Sequence, residues 1–149
     1  MATIMSLETR FVIRDATLND LESIKKIDDE LGGLHINLIN KVKNMIGDEL
    51  SKFLVAEFDG KIVGYAGGII RETEFGEADP IGYITHVGLN KEFKSKGMGK
   101  MIGDRLISKL LEKADVIRTV VSFERNDLQT FFNSIGLNKT DLLVFQYKG

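Results

Sequence analysis

The feature that constrains this chain most is a cationic, glycine-bearing stretch, Lys94-Ser95-Lys96-Gly97-Met98-Gly99-Lys100, set between an apolar run and an amphipathic one. Upstream, Ile81 to Leu89 has the composition of a strand; downstream, Met98, Ile102, Leu106 and Leu110 recur at helical spacing. A strand that passes through a short glycine loop into a helix leaves the first helical N–H groups without intrahelical acceptors, at the positive end of the helix dipole. Such a place suits an anion. The glycines let backbone approach a phosphate, and Lys94, Lys96 and Lys100 add charge. Read alone, the stretch serves as well as a tight turn with a solvated lysine face.

The remaining elements follow from periodicity. Phe11 to Arg14 reads as a strand. Thr17, with Asp20 three residues on, is placed as a helix N-cap, and Leu21, Ile24, Ile27 and Leu31 follow at helical spacing until Gly32-Gly33. Leu38, Val42, Met45 and Ile46 form a second helical stripe. Lys52 to Phe58 and Lys61 to Ile70 are apolar runs around Asp59-Gly60, a hairpin signal. Arg71 to Pro80 reads as a polar, acidic loop. Val116 to Phe123 is a strand, and Asn126 to Ile135 a short helix with Asn126 and Gln129 spaced as a capping box and Gly136 as its stop. Leu142 to Tyr147 reads as a closing strand. The predicted order is β-α-α-β-β-β-α-β-α-β, one α/β domain over residues 11–149 behind a short N-terminal extension over residues 1–10.

Composition removes several classes of function. The 149 residues are one domain's worth at about 150 per domain. With 20 basic and 22 acidic side chains, the net charge of -2 exerts no whole-chain pull toward nucleic acid or an anionic membrane. The absence of cysteine excludes disulfides, thiolate metal ligands and cysteine nucleophiles, and fits a reducing compartment. His35 and His86 are too few for a histidine-rich metal site, so no metal is expected. No apolar run nears the roughly 20 residues of a membrane span, and Met1 to Arg10 lacks the layout of a signal peptide. The expectation is a cytoplasmic protein with no nucleic-acid or membrane partner.

Three phosphate-binding motifs compete for the glycine loop. A Walker A loop fails, because Lys100 is followed by Met101 and no glycine stands five residues before Gly99. A dinucleotide fingerprint would use Gly97, Gly99 and Gly103, but the third glycine comes one residue late and Asp115 precedes the next strand instead of ending it. The third motif, Arg/Gln-x-x-Gly-x-Gly/Ala after a strand and opening a helix, binds the acetyl-CoA pyrophosphate in the GCN5-related N-acetyltransferases (GNAT). The chain resembles this family from Phe11 to Tyr147. Gly97 and Gly99 match, and Lys94 stands at the Arg/Gln position, keeping the charge without the fork geometry of arginine. Val87-Gly88-Leu89 resembles the family's fourth-strand segment, and Phe132-Asn133-Ser134-Ile135-Gly136-Leu137 its Tyr-x-x-x-Gly-Phe ending.

The resemblance implies a mixed, mostly antiparallel central sheet flanked by helices, whose fourth and fifth strands splay into a V that takes acetyl-CoA. It implies that Val87, Gly88 and Leu89 hold the pantetheine, that Lys94, Ser95, Lys96, Gly97, Met98, Gly99 and Lys100 surround the pyrophosphate, and that Arg125 or Asn126 touches the cosubstrate. Asn126 reads equally as a plain helix cap. The implied activity is acetyl transfer from acetyl-CoA to a primary amine: a small amine, a protein N-terminus or a lysine. Its rate would come largely from holding two reactants together and from hydrogen bonds to the developing oxyanion.

Catalytic residues are less determined. The family's usual acid, a tyrosine, is replaced by Phe132, and spacing supports neither Ser134 nor Tyr147 as its substitute. The family's Glu or His positions on the fourth strand fall on Tyr83 and Thr85. His86 lies one residue out of that alternation and needs a bulge to face the same way. It titrates near neutral pH, so His86 and Tyr83 are the candidate catalytic residues. Val120 occupies a position where relatives carry an acid, and His35 is expected to be structural or solvent-exposed. Glu72, Glu74, Glu77 and Asp79 either steer a cationic amine or form a solvated hairpin loop. The missing tyrosine motivates a second reading, a non-catalytic acyl-CoA-binding sensor or regulatory module of the same fold. The family resemblance also implies a homodimer.

Overall fold

Five strands pair in the order in which they occur along the chain. In the computed structural model, which describes residues 10–72, 74–76 and 79–149, β1 (Phe11–Asp15), β2 (Ser51–Phe58), β3 (Lys61–Arg71) and β4 (Ile81–Leu89) run antiparallel to their neighbours, and β5 (Val116–Arg118) joins β4 in parallel. Of the extension expected over residues 1–10, all but Arg10 lies outside the described residues. A parallel neighbour needs a crossover, and α3 (Met98–Leu110) supplies it between β4 and β5. The β2–β3 turn places Asp59 at φ 52° and Gly60 at φ 79°, the two positive values of a tight hairpin turn.

Helices cover both sheet faces. α1 (Leu21–Glu30) and α2 (Leu38–Met45) close one face through Ile24, Ile27, Leu38 and Val42 packed on Phe53, Val55 and Tyr65. α3 and α4 (Asn126–Ser134) close the other through Ile102, Leu106, Leu110 and Phe132 on Leu54, Ala66 and Ile84. The helical stripes read from the sequence are the buried faces. The first helix is preceded by a short 3-10 turn, Leu18–Asp20, where the Asp20 carboxylate accepts from the Thr17 amide at 2.7 Å. Arg14 donates to both Asp20 oxygens, at 2.7 and 2.8 Å, and holds this buried carboxyl below the usual carboxylate range.

Three sequence expectations are corrected. The strand predicted over Val116 to Phe123 is paired only over Val116–Arg118. Leu142 to Tyr147 forms no strand, and Leu143, Val144, Phe145 and Tyr147 stand in solvent. A strand exists only where a neighbour accepts its backbone hydrogen bonds; after Arg118 the chain makes no further ladder with β4, and Leu142 to Tyr147 lies against no strand. The capping box of Asn126 and Gln129 does not form: Arg125 is the N-cap, and Gln129 instead donates to the Ser122 and Phe123 carbonyls at 3.3 and 2.8 Å.

Candidate active site

β4 and β5 pair only through Ile81–Val116, Gly82–Ile117 and Tyr83–Arg118. The Thr119 hydroxyl makes the last tie, donating to the Ile84 carbonyl at 2.9 Å. Beyond it the strands part, and the gap opens into a cavity of about 520 Å³. Thr85, His86 and Val87 form one wall, Thr119 to Val121 the opposite one, and Leu128 and Phe132 of α4 close one end; His35, Arg71, Glu74 and Tyr83 also line it. This is the expected V. From Thr85 to Leu89 the edge of β4 turned from β3 carries no strand among the described residues.

A bulge sets the chemistry of the β4 wall. Gly67 pairs with His86 and Gly68 with Ile84, so Thr85 is the extra residue. The irregularity turns His86 onto the face of α1 and α2, its ring centroid 4.8 Å from that of His35 and 5.9 Å from that of Phe53. His86 is 8% exposed, and its Nδ1 lies 2.7 Å from the Thr85 hydroxyl. Burial, with His35 and Lys41 nearby, pulls its pKa down to about 4, so at neutral pH the ring is uncharged. A base tuned so far below neutral takes a proton poorly.

The same depression makes a stability prediction. The folded His86 resists protonation that the unfolded chain accepts near pH 6.5, so its contribution is complete above about 6.5 and is lost as pH falls toward about 4. The expected loss is roughly 2 to 3 kcal/mol over that window. Denaturant titrations at pH 7.5 and 5.0 should show it, with the difference between the two reduced in His86→Gln. An equal difference in that variant assigns the acid sensitivity to another group.

Tyr83 does not have the surroundings of a base. Burial, reinforced by its hydrogen bond to Glu74 at 2.9 Å and opposed by Arg118, raises its hydroxyl above the ordinary value. Its one proton is committed to Glu74. Arg71 reaches Glu74 at 3.5 Å, so Glu74 is held between two partners; Glu72 and Asp79 are exposed, and Glu77 lies outside the described residues.

His35 is half-buried and held by hydrogen bonds, the structural one of its two expected placements. It lines the cavity, and its Nδ1 lies 3.0 Å from Asp28 Oδ1 and 3.0 Å from the Tyr65 hydroxyl, which itself donates to Asp28 at 3.1 Å. Asp28 is 3% exposed. A signal was available in the sequence: Asp28 falls on the apolar stripe of Ile24, Ile27 and Leu31, where a carboxylate needs a buried partner.

The glycine loop has the geometry of an anion cradle. Asn90 accepts the Glu92 amide at 3.0 Å to start a 3-10 turn over Lys91–Phe93; then Ser95 (φ 68°) and Gly97 (φ 79°) take left-handed conformations. Met101 is the first residue of α3 to reach back, to the Gly97 carbonyl at 3.1 Å, so the amides of Met98, Gly99 and Lys100 precede the helical ladder. Lys94, Ser95, Lys96 and Lys100 are exposed; Lys100 pairs with Asp104 at 2.8 Å, and the Lys96 ammonium lies 5.8 Å from the Phe93 ring centroid. The glycines divide their work. Gly97 supplies the backbone conformation, whereas a Cβ at Gly99 would point into α4, 3.4 Å from Phe131 and 3.6 Å from Leu89.

Phe132 is 7% exposed, its ring 5.2 Å from Phe131, and it fills the closed end of the cavity with no proton to give. Neither conceivable substitute reaches that place. The Ser134 hydroxyl donates to the Phe131 carbonyl, and Tyr147 is 96% exposed. Val120 lines the cavity, and Asn126 stands exposed at the start of α4. Among the described residues no three His, Asp or Glu side chains gather as metal ligands, and no helix is long and apolar enough to cross a membrane.

Residues 18–133 match the sequence profile described as the Acetyltransferase (GNAT) family. No curated protein matches the chain. Several solved structures share its fold. The aminoglycoside N-acetyltransferase AAC(6')-Iy, in complex with a bisubstrate analogue built on CoA, superposes with a TM-score of 0.80 at 17% identity, covering 93% of this chain and 98% of that one. An aminoglycoside acetyltransferase from an uncultured soil metagenomic sample, in complex with trehalose, gives 0.77 at 16% identity over 97% and 99%. A protein described as a transcriptional regulator from Bacillus halodurans C-125 gives 0.76 at 18% identity over 93% and 99%.

Proposed function

The chain belongs to the GNAT acetyltransferase family, and from that premise we propose that it moves an acetyl group from acetyl-CoA directly to a primary amine. The observation that carries the reading is a continuous track: the strand-free edge of β4 at Val87, Gly88 and Leu89 leads to the amides that open α3. An extended pantetheine can pair with that edge as an added strand would, while Ser95 to Lys100 offer N–H groups and lysine charge to the pyrophosphate. Asn126, at the head of α4, is the proposed further contact. The thioester would then lie where β4 and β5 part, beside Phe132, and the amine would enter past Tyr83 and Glu74. Two reactants held in one cleft supply most of the rate, with donors aimed at the developing oxyanion.

The acceptor class is a cationic amine. Glu74 on the cavity wall favours it, and structural neighbours are aminoglycoside acetyltransferases, one of them in complex with sisomicin. Phe132 assigns the proton taken by the leaving thiolate to another source. The proposed unit is residues 11–149, acting in the cytoplasm, with no metal. We also propose a homodimer, supported by the exposed apolar side chains of Leu142 to Phe145; light scattering should give twice the chain mass.

A second reading, an acyl-CoA-binding sensor without turnover, is favoured by Phe132 and by the likeness to a protein described as a transcriptional regulator. Calorimetric titration followed by thiol release separates them. The expected result is micromolar binding of acetyl-CoA, none of NADPH, and CoA release with at least one of sisomicin, spermidine or lysine methyl ester. Binding without release with any amine selects the sensor. No binding removes both.

A further inference from the structure

We propose that His35 is the proton acceptor of this site and that buried Asp28, tied down by Tyr65, is the residue that positions it. The inference rests on the acetyl-transfer reading above. Its geometry joins three elements: Asp28 on α1, Tyr65 on β3, and His35 in the connection between α1 and α2.

The hydrogen bonds decide the tautomer. A carboxylate only accepts, and the Tyr65 hydroxyl, held protonated by burial and by Asp28, spends its proton on Asp28 Oδ1. Nδ1 of His35, 3.0 Å from that same oxygen, must therefore carry the hydrogen and donate it. The lone pair is left on Nε2, which no group among the described residues hydrogen-bonds, on a ring that lines the cavity. A histidine whose far nitrogen donates to a buried carboxylate is fixed in orientation and ready to take charge, because the Asp28 bond becomes charge-assisted when it does. The groups that face the ring from the packed elements are Asp28, Tyr65 and His86, with Lys41 of α2 close enough to act on His86. His86 stays neutral at working pH and so does not compete for the proton.

The step balances within the reactants. The acceptor ammonium gives one proton to Nε2, directly or through one water. The freed nitrogen pair attacks the acetyl carbon of the thioester, forming C–N while C–S breaks. The second nitrogen proton leaves with the sulfur as thiol, and His35 returns its proton to solvent.

The test is the pH dependence of kcat/KM for acetyl-CoA with whichever of sisomicin, spermidine or lysine methyl ester releases most thiol. The wild-type rate should rise with pH through one ionisation. In His35→Gln that limb should vanish and kcat fall on the order of 100-fold, with acetyl-CoA affinity unchanged. In Asp28→Asn the limb should persist but move to lower pH, with kcat down about tenfold; a merely structural Asp28 would lower stability and leave the limb in place. A wild-type limb in folded His35→Gln overturns the assignment while acetyl transfer stands. Should His35→Gln fail to fold, an unmoved limb in Asp28→Asn overturns it alone. Acetyl-CoA binding without thiol release from any of the three amines overturns both the transfer reading and this one.

Discussion

Replacing Gly97 with valine should weaken acetyl-CoA binding at least tenfold, about 1.4 kcal/mol. Gly97 precedes α3 at φ 79° and ψ 0°, in the left-handed region, and nothing lies within 4 Å of where its Cβ would stand. Space is therefore not the obstacle. The obstacle is the backbone: an L-residue in this conformation costs roughly 1–2 kcal/mol, and a β-branched one more. The cheapest relief is to rotate the loop toward negative φ, which turns the amides of Met98, Gly99 and Lys100 away from the anion they would hold. Gly99→Ala is the control, because its Cβ faces Phe131 at 3.4 Å, an ordinary contact, and leaves the loop conformation alone. Calorimetric titration of both variants checks the expectation. Wild-type affinity in a folded Gly97→Val would mean that the strand–loop–helix is scaffold here.

Gly88→Ala should be the most destabilising small change on β4, by about 3 kcal/mol. Its Cβ would lie 2.4 Å from Tyr65 Cζ and 2.7 Å from the hydroxyl oxygen. Tyr65 is 1% exposed, stacked on Phe53 at 5.8 Å and tied by its hydroxyl to Asp28 and His35, so the ring has nowhere to swing. For about 150 residues such a loss lowers Tm by roughly 10 °C, which a thermal melt reads directly. The damage should also reach function, since a displaced Tyr65 frees Asp28 and with it His35. A variant that melts with the wild type would show that β4 can shift by the missing ångström, and would count against a rigid Tyr65–Asp28–His35 unit.

The two substitutions probe different kinds of information. The turn at Gly97 was legible because it is local: a strand pattern, glycines and a helical stripe are adjacent in the chain; its positive φ is what the structure adds. The paired helices before β2, the Asp59-Gly60 hairpin and the α3 stripe were legible for the same reason. Periodicity is written over ten or so residues, and the faces it marks are the faces that became buried.

What lay beyond reach depends on partners far along the chain. The bulge at Thr85 belongs to a register with β3, so the sequence could say only that His86 would need one, not that it has one. His35 looked structural or exposed because its meaning rests on Asp28 seven residues before it and Tyr65 thirty after it, which only the packing of α1 against the sheet brings within 3.1 Å. Val116 to Phe123 and Leu142 to Tyr147 both had strand composition, yet three residues of the first found an edge and none of the second did.

By itself the sequence determined the family, the order of elements as far as α4 and the glycine turn into α3, since each is carried by neighbours in the chain. The tertiary structure alone decided which histidine meets a buried carboxylate, which is neutralised by burial, and where β4 is left open. Hydrogen bonding and desolvation act across space, and residues with identical local surroundings in the chain can end in opposite electrostatic ones.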